Sequence, residues 1–404
     1  MKSFSKLAAV LALALAFVLA SCANGDNGDS LYSLTFEGKI KNGSVKASKE
    51  TGIEEGETII LTAMPNEGYM LDRLSVKCDG KEVALKDNSF VMPAGDVVIS
   101  VEFVVFNYSF TDTVQEAGSV TVNGKDYELV YFGDFPQSQK AENVVIFQSK
   151  SYERGDYTYY QGSDGFYYCY TKAMEGDSAK YYKVEPVLWR VLTDDYNGKK
   201  LLLSERILVN CKYYDYSKVS RGTEESPVYP NNYKESRVRA YLNGLSYSKK
   251  ASEESEMVTE SLFNGKGFLN TAFSAAAKNL IAETDVDNSV SSADSYEKNA
   301  NPREEFACAD TKDKIFLLSL REVTNPDYGF DSFEDSRLAE ANGSSRLKKA
   351  VDFTGSSAGS WWLRSPYNEN NIGDARFVSH MGNSAEATFV DANSMGLAPA
   401  LCLE

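Results

Sequence analysis

Beyond residue 21 the apolar residues of this chain come in short alternating runs rather than long stripes, and that pattern limits the fold more than any other feature. Val97, Ile99, Val101 and Phe103 alternate with Val98, Ser100 and Glu102, the period of two that gives a strand two distinct faces. From Thr58 to Met64, Ile59, Leu61 and Ala63 share one face, and Ile60 and Thr62 the other. Turn residues punctuate the runs at Asn66-Glu67-Gly68, Asp79-Gly80 and Pro93-Ala94-Gly95-Asp96. Gly43 opens a further strand, Ser44 to Ser48. Residues 31–106 thus read as a small all-β domain, near the lower size limit for independent folding.

Residues 107–404 read as one larger unit of mixed character. Tyr127 to Phe132 is a strand. An aromatic hairpin follows, with Tyr157, Tyr159 and Tyr160 before the turn Gly162-Ser163-Asp164-Gly165, and Phe166, Tyr167, Tyr168 and Tyr170 after it. Nine tyrosines fall between 152 and 182. They fit a recognition surface and equally fit cross-strand packing. Val187 to Leu192 and Lys200 to Ser204 are strands joined through Asn197-Gly198, a favoured hairpin turn. Ser236 caps a short helix with Val238, Tyr241 and Leu242 inward. Ser274 caps a second helix carrying Leu280 and Ile281. Ile315 to Leu318 is a buried strand, and Ser319-Leu320-Arg321-Glu322 is a capping box. Residues 282–312 read as a long surface loop. The end of the chain returns to strands at Trp361 to Arg364, Phe377 to His380, Ala387 to Val390 and Leu397 to Leu403. Strands around two helices and long loops place the fold class as α+β, a small β module followed by a larger mixed domain.

The first residues are an address. Lys2 and Lys6 precede an apolar run, Leu7 to Leu19, too short to span a bilayer comfortably. Leu19-Ala20-Ser21-Cys22 resembles the lipobox of bacterial lipoproteins, and the alternative is a plain signal peptide cut nearby. The resemblance implies a signal at 1–21, diacylation of Cys22 with palmitate-type chains, and a mature protein held to a membrane by lipid. The polar, Gly-rich residues 22–30 then form a tether. The implied place is the bacterial cell envelope, outside the cytoplasm, at the outer membrane or cell surface. The formal charge is −16, and losing the two signal lysines takes it to −18. An acidic body of this kind is no nucleic-acid binder, and anionic lipid repels it. Of six cysteines, five remain after Cys22. No CxxC occurs; most read as small buried residues, with room for one bridge in the second half.

Two further resemblances cover the rest. Gly56 to Pro65, Glu67-Gly68-Tyr69, Phe90-Val91-Met92-Pro93 and Asp96 to Phe103 resemble a divergent internalin-B-type bacterial repeat. That family implies a stalk or an adhesion module. Phe132 to Gln137, Val187 to Leu192, Ser236 to Asn243, Phe268 to Phe273, Val286 to Ser289, Lys314 to Ser319, Trp361-Trp362-Leu363-Arg364-Ser365-Pro366 and Gly396 to Leu401 resemble, in order, a family of uncharacterised domains found in bacterial surface proteins. That family in turn is similar to the C-type-lectin-like fold shared with formylglycine-generating enzymes. The resemblance implies a scaffold and little chemistry, and Ala398 stands where many relatives carry Arg.

Chemical motifs are sparse. A single His argues against multi-His zinc sites and His-based nucleophile systems. Glu185-Pro186-Val187 departs from the calcium-lectin tripeptide, and the cysteines are too scattered for formylglycine formation. Asp285-Val286-Asp287-Asn288 offers hard oxygen donors for calcium, or else loop-stabilising hydrogen bonds. No cofactor motif is present, and no local motif selects a catalytic pair.

The ligand-binding expectation falls on the late loop and its flanks: Trp361, Trp362, Arg364, Tyr367, Asn368, Asn370, Asn371, Asp374 and Arg376. Adjacent strand tryptophans point to opposite faces, so one is core and the other is free to stack on a sugar or partner. The arginines can hold a carboxylate or form structural ion pairs. The expected function is a non-catalytic, lipid-anchored surface protein binding a glycan or protein. The alternatives are an enzyme on the same scaffold and a structural envelope interaction protein.

Overall fold

A computed structural model describes residues 30–86, 88–122, 124–172, 178–296, 300–330, 340–341, 359–367, 371–384 and 386–404. Cys22, Asn368 and Asn370 lie outside the described residues. Two compact units form. The first gathers Ala47–Leu61, Ser75–Ser100 and the described part of Met1–Gly38; the second gathers Lys39–Lys46, Thr62–Leu74 and Val101–Glu404.

In the first unit residues 34–36 pair parallel with residues 97–99, and residues 58–60 pair antiparallel with residues 89–91. The inward residues of these alternating strands make its core. Leu34, Ile59, Leu61, Val76, Phe90, Val97 and Ile99 are all buried, whereas Ile60, Val91 and Val98 face water.

The second unit is built on a nine-stranded sheet whose main path runs Ile146–Arg154, Tyr157–Gly162, Tyr167–Thr171, Lys180–Tyr196, Lys199–Ser204, Ala400–Leu403, Ile315–Phe316. The long strand Lys180–Tyr196 also pairs with Lys125–Gln139, which carries Gln115–Val122 on its other edge. Asn197 and Gly198 both have positive φ (55° and 80°), as the tight turn between Lys180–Tyr196 and Lys199–Ser204 requires. A five-stranded sheet follows the order Val209–Asn210, Gly396–Leu397, Trp361–Pro366, Asp374–Val378, Glu386–Phe389.

The fold is all-β, not the α+β expected from sequence: 46% of the described residues are strand and 9% helix. The helix caps are real but the helices behind them are short. Ser236 caps Arg237–Asn243, Ser274 caps Ala275–Lys278, and Ser319 with Glu322 completes a capping box on Leu320–Val323. Segments of four to seven residues have no helical stability of their own and persist only through packing. The helix expected to carry Leu280 ends at Lys278, leaving Leu280 41% exposed. Meanwhile Phe268 and Leu269 sit on a separate helix, Gly267–Ala272. The stretch 282–312 is not simply a surface loop. Thr284–Val286 pairs with Thr311–Asp313, and Val286 is fully buried.

The cysteines described are free thiols, with Cys169, Cys211 and Cys402 buried. Burial pushes the Cys169 thiol up to about 12, and those of Cys211 and Cys402 up to about 11. These three behave as small apolar residues. Among the described residues no helix is long and apolar enough to cross a membrane.

Candidate functional site

Most of the described residues of the late-loop expectation are engaged within the fold. Trp361 and Trp362 are 1% and 0% exposed, so neither is free to stack on a ligand. Their side chains do leave opposite faces of the strand, but Trp361–Pro366 is the central strand of its sheet and both tryptophans lie in the main core cluster. Trp362 meets Tyr213 edge-on at 5.5 Å and donates Nε1 to the Cys211 carbonyl at 2.9 Å.

Arg364 is likewise internal. Its Nη1 and Nη2 grip both carboxylate oxygens of buried Glu322 at 2.5 and 2.8 Å. Glu322 also accepts the Tyr196 hydroxyl at 2.7 Å and the Ser319 amide at 2.7 Å. Burial by itself raises the Glu322 carboxyl, but the Arg364 charge and these hydrogen bonds outweigh it and hold it below the usual carboxylate range. Arg376 is buried, with its guanidinium 5.0 Å from the centre of the Tyr367 ring. Asn371 donates Nδ2 to Asp374 Oδ2 at 2.8 Å and accepts the Gly373 amide at 3.2 Å. The described polar groups of the loop thus brace the loop. The two aspartates of Asp285–Asn288 are also held, though the buried Asn288 Oδ1 has no hydrogen-bond partner among the described residues. Asp285 pairs with Lys312 at 2.6 Å, and Asp287 accepts the Ser289 amide at 2.8 Å. No cluster of potential metal ligands occurs among the described residues.

An open site lies instead on the outer face of the nine-stranded sheet. Along Lys180–Tyr196 the odd residues 181, 183 and 185 face outward while Tyr182 and Val184 are buried. A register shift between Pro186 and Leu188 then turns Val187 and Trp189 into the core and keeps Leu188 outside. Gln137 braces this kink by donating Nε2 to the carbonyls of Glu185 (3.1 Å) and Pro186 (2.9 Å). The result is a groove of about 300 Å³ whose walls include Tyr131, Phe166 and Leu188, with Lys183, Glu185 and Arg206 as its charged groups.

The groove is electrostatically balanced. Lys183 Nζ sits 3.4 Å over the Phe166 ring and 3.5 Å from Asp164, a cation–π contact inside an ion pair. Glu185 Oε2 accepts the Ser138 amide at 2.9 Å. Tyr131 is 38% exposed. Tyr131, Lys183 and this use of Glu185 are not among the site residues expected from sequence. The alternation of Tyr181, Lys183 and Glu185 with Tyr182 and Val184 was the signal for an outward row, but the kink that gathers them with Tyr131 and Phe166 is tertiary.

A family model of the divergent InlB B-repeat domain matches residues 32–106. A second model, of the domain of unknown function DUF6273, matches residues 197–404, slightly more than half the chain. The chain belongs to the DUF6273 family. The DUF6273 match takes in the Trp361–Pro366 strand and the Glu322–Arg364 pair, while most of the groove lies before it. Within the matched segment, Arg206 and Leu208 contribute to the groove. No curated protein and no solved structure matches the chain.

Proposed function

We propose that this is a lipid-anchored protein of the bacterial envelope whose larger unit binds a glycan, without catalysis, on the outer face of its nine-stranded sheet. The observation that carries the reading is the groove itself. Half-exposed aromatic rings line a concavity together with a small number of held polar groups, the composition small-ligand sites favour. Sugars present C–H faces and hydroxyl edges, and Tyr131, Phe166, Glu185 and Arg206 offer the matching surfaces. The volume is at the small end for ligand sites and suits a sugar ring or two better than a large cofactor.

The anchor rests on Leu19-Ala20-Ser21-Cys22 behind its apolar run. Cells labelled with radioactive palmitate are expected to yield labelled protein in the membrane fraction, and Cys22→Ser to yield unlabelled protein released from it. Label persisting in the Cys22→Ser variant would place the acyl chain elsewhere.

The binding reading is tested on a glycan array with the full detergent-solubilised chain. Phe166→Ala removes the ring beneath Lys183 and the groove wall. It is expected to weaken binding to any retained glycan about tenfold, the equivalent of about 1.4 kcal/mol. Unchanged affinity in a folded Phe166→Ala protein would move the site away from the groove.

A further inference from the structure

Beside the groove the same outer face carries a second aromatic feature. Register pairs Tyr170 with Tyr181 and Tyr168 with Lys183, and Tyr160 with Tyr168. Paired residues share a face, so Tyr160, Tyr170 and Tyr181 stand in a row across three neighbouring strands on the groove side. Lys183 of the groove follows Tyr181 by two residues on one strand, a step of about 6.6 Å. Tyr168 ties the two features together: its hydroxyl donates to Asp164 Oδ2 at 2.8 Å, the same oxygen that faces Lys183.

The row is not needed for the core. Tyr159 and Tyr182 on the opposite face are buried with Val184 and Cys169, whereas Tyr170 is 57% exposed. Its rings are nevertheless set. Tyr170 and Tyr181 lie 4.8 Å apart at 43°, Tyr160 and Tyr181 lie 6.2 Å apart at 82°, and Gln148 Nε2 donates to the Tyr181 hydroxyl at 2.8 Å. Pre-set rings lose little freedom when a ligand arrives.

We infer that this row extends the groove into a track for a linear, uncharged polysaccharide, the groove holding one stretch of the chain and Tyr160, Tyr170 and Tyr181 the next. The inference rests on the groove reading and adds length and charge class to it. Length follows from the continuity along Lys180–Tyr196. Neutrality follows from charge matching. Lys183 is answered by Asp164, the groove sets Arg206 against Glu185 in its lining, and the whole chain carries −16, so a polyanion meets net repulsion. A protein partner would need about 800 Å² of contact per side with a desolvated centre. A row of hydroxyl-bearing rings fits alternating C–H and O–H groups instead.

The test is isothermal titration of the full detergent-solubilised chain. The probes are disaccharides and hexasaccharides of β-1,4-glucan, β-1,4-xylan, β-1,4-mannan, β-1,3-glucan and β-1,4-linked N-acetylglucosamine, with hexagalacturonate as the anionic comparison. At least one neutral hexasaccharide is expected to bind about tenfold tighter than its disaccharide. Tyr170→Ala and Tyr181→Ala should abolish that gain while leaving the disaccharide affinity unchanged, with melting temperatures confirming the fold. Phe166→Ala should lower both. Equal affinity for both lengths, or ladder variants that keep the gain, overturns the track and leaves the groove reading standing. Preference for hexagalacturonate overturns the neutral class. Silence toward every probe overturns both the track and the groove reading.

Discussion

Replacing Arg364 with methionine is expected to cost about 3–5 kcal/mol of stability, a large share of the roughly 5–15 kcal/mol that holds a folded protein together. Methionine fills similar space, so little of the loss comes from packing. Most of the loss comes from Glu322, which keeps its hydrogen bonds to Tyr196 and the Ser319 amide but loses both contacts to the guanidinium, and the rest from the Leu317 and Asp287 carbonyls that lose the same donor. A buried carboxylate without a counter-charge is the costly state. The pH dependence has a definite sign. In the native protein the Glu322 carboxyl lies below its ordinary value. Its contribution is therefore full above the unfolded value near 4.3 and is lost as pH falls through the lower folded value. In Arg364→Met the same carboxyl rises instead, and its penalty is relieved as pH falls. Denaturant titrations at pH 7 and pH 4 should thus show the gap between the two proteins narrowing in acid. The double variant Glu322→Gln/Arg364→Met should recover much of the loss. A gap that widens in acid, or a loss under 1 kcal/mol, contradicts this assignment.

Trp362→Ala is expected to cost a comparable amount, about 3–5 kcal/mol, through the cavity left in the core. The indole is fully buried between Tyr213 and Phe377, 5.5 and 6.4 Å from their ring centres. Truncation also strips the Cys211 carbonyl of the Nε1 donor at 2.9 Å. Trp362→Phe keeps most of the volume and loses the donor, so it should cost about 1–3 kcal/mol, the penalty of one orphaned buried acceptor. The ordering Ala worse than Phe worse than wild type, read by denaturant midpoint, checks the packing account. A near-neutral Trp362→Ala would mean that the indole is not core, and would restore it as a ligand-stacking residue.

These two residues show where sequence reading succeeds and where it stops. Period-two runs located strands in both units, and Asn197-Gly198 located a hairpin, because strand faces and tight turns are decided by a few adjacent residues. The Ser319–Glu322 capping box was legible for the same reason. Helix length was not: Ser274 marks a true N-cap, but how far Ala275–Lys278 continues depends on what packs against it. Alternation also says that Trp361 and Trp362 point apart without saying that both sides are covered. That needs the neighbouring strands of the five-stranded sheet, contributed from elsewhere in the chain. The groove is further still from local signals, since Tyr131, Phe166 and Arg206 come together only through a register shift in one long strand.

The central claim is that the outer face of the nine-stranded sheet is the binding surface. Its most direct test is diffraction from crystals of the protein soaked with the tightest-binding neutral hexasaccharide. Sugar density is expected across Tyr131, Phe166 and Lys183 and onward over Tyr181 and Tyr170. Density confined to the loop around Asn371 and Asp374, with the sheet face bare, would contradict the account.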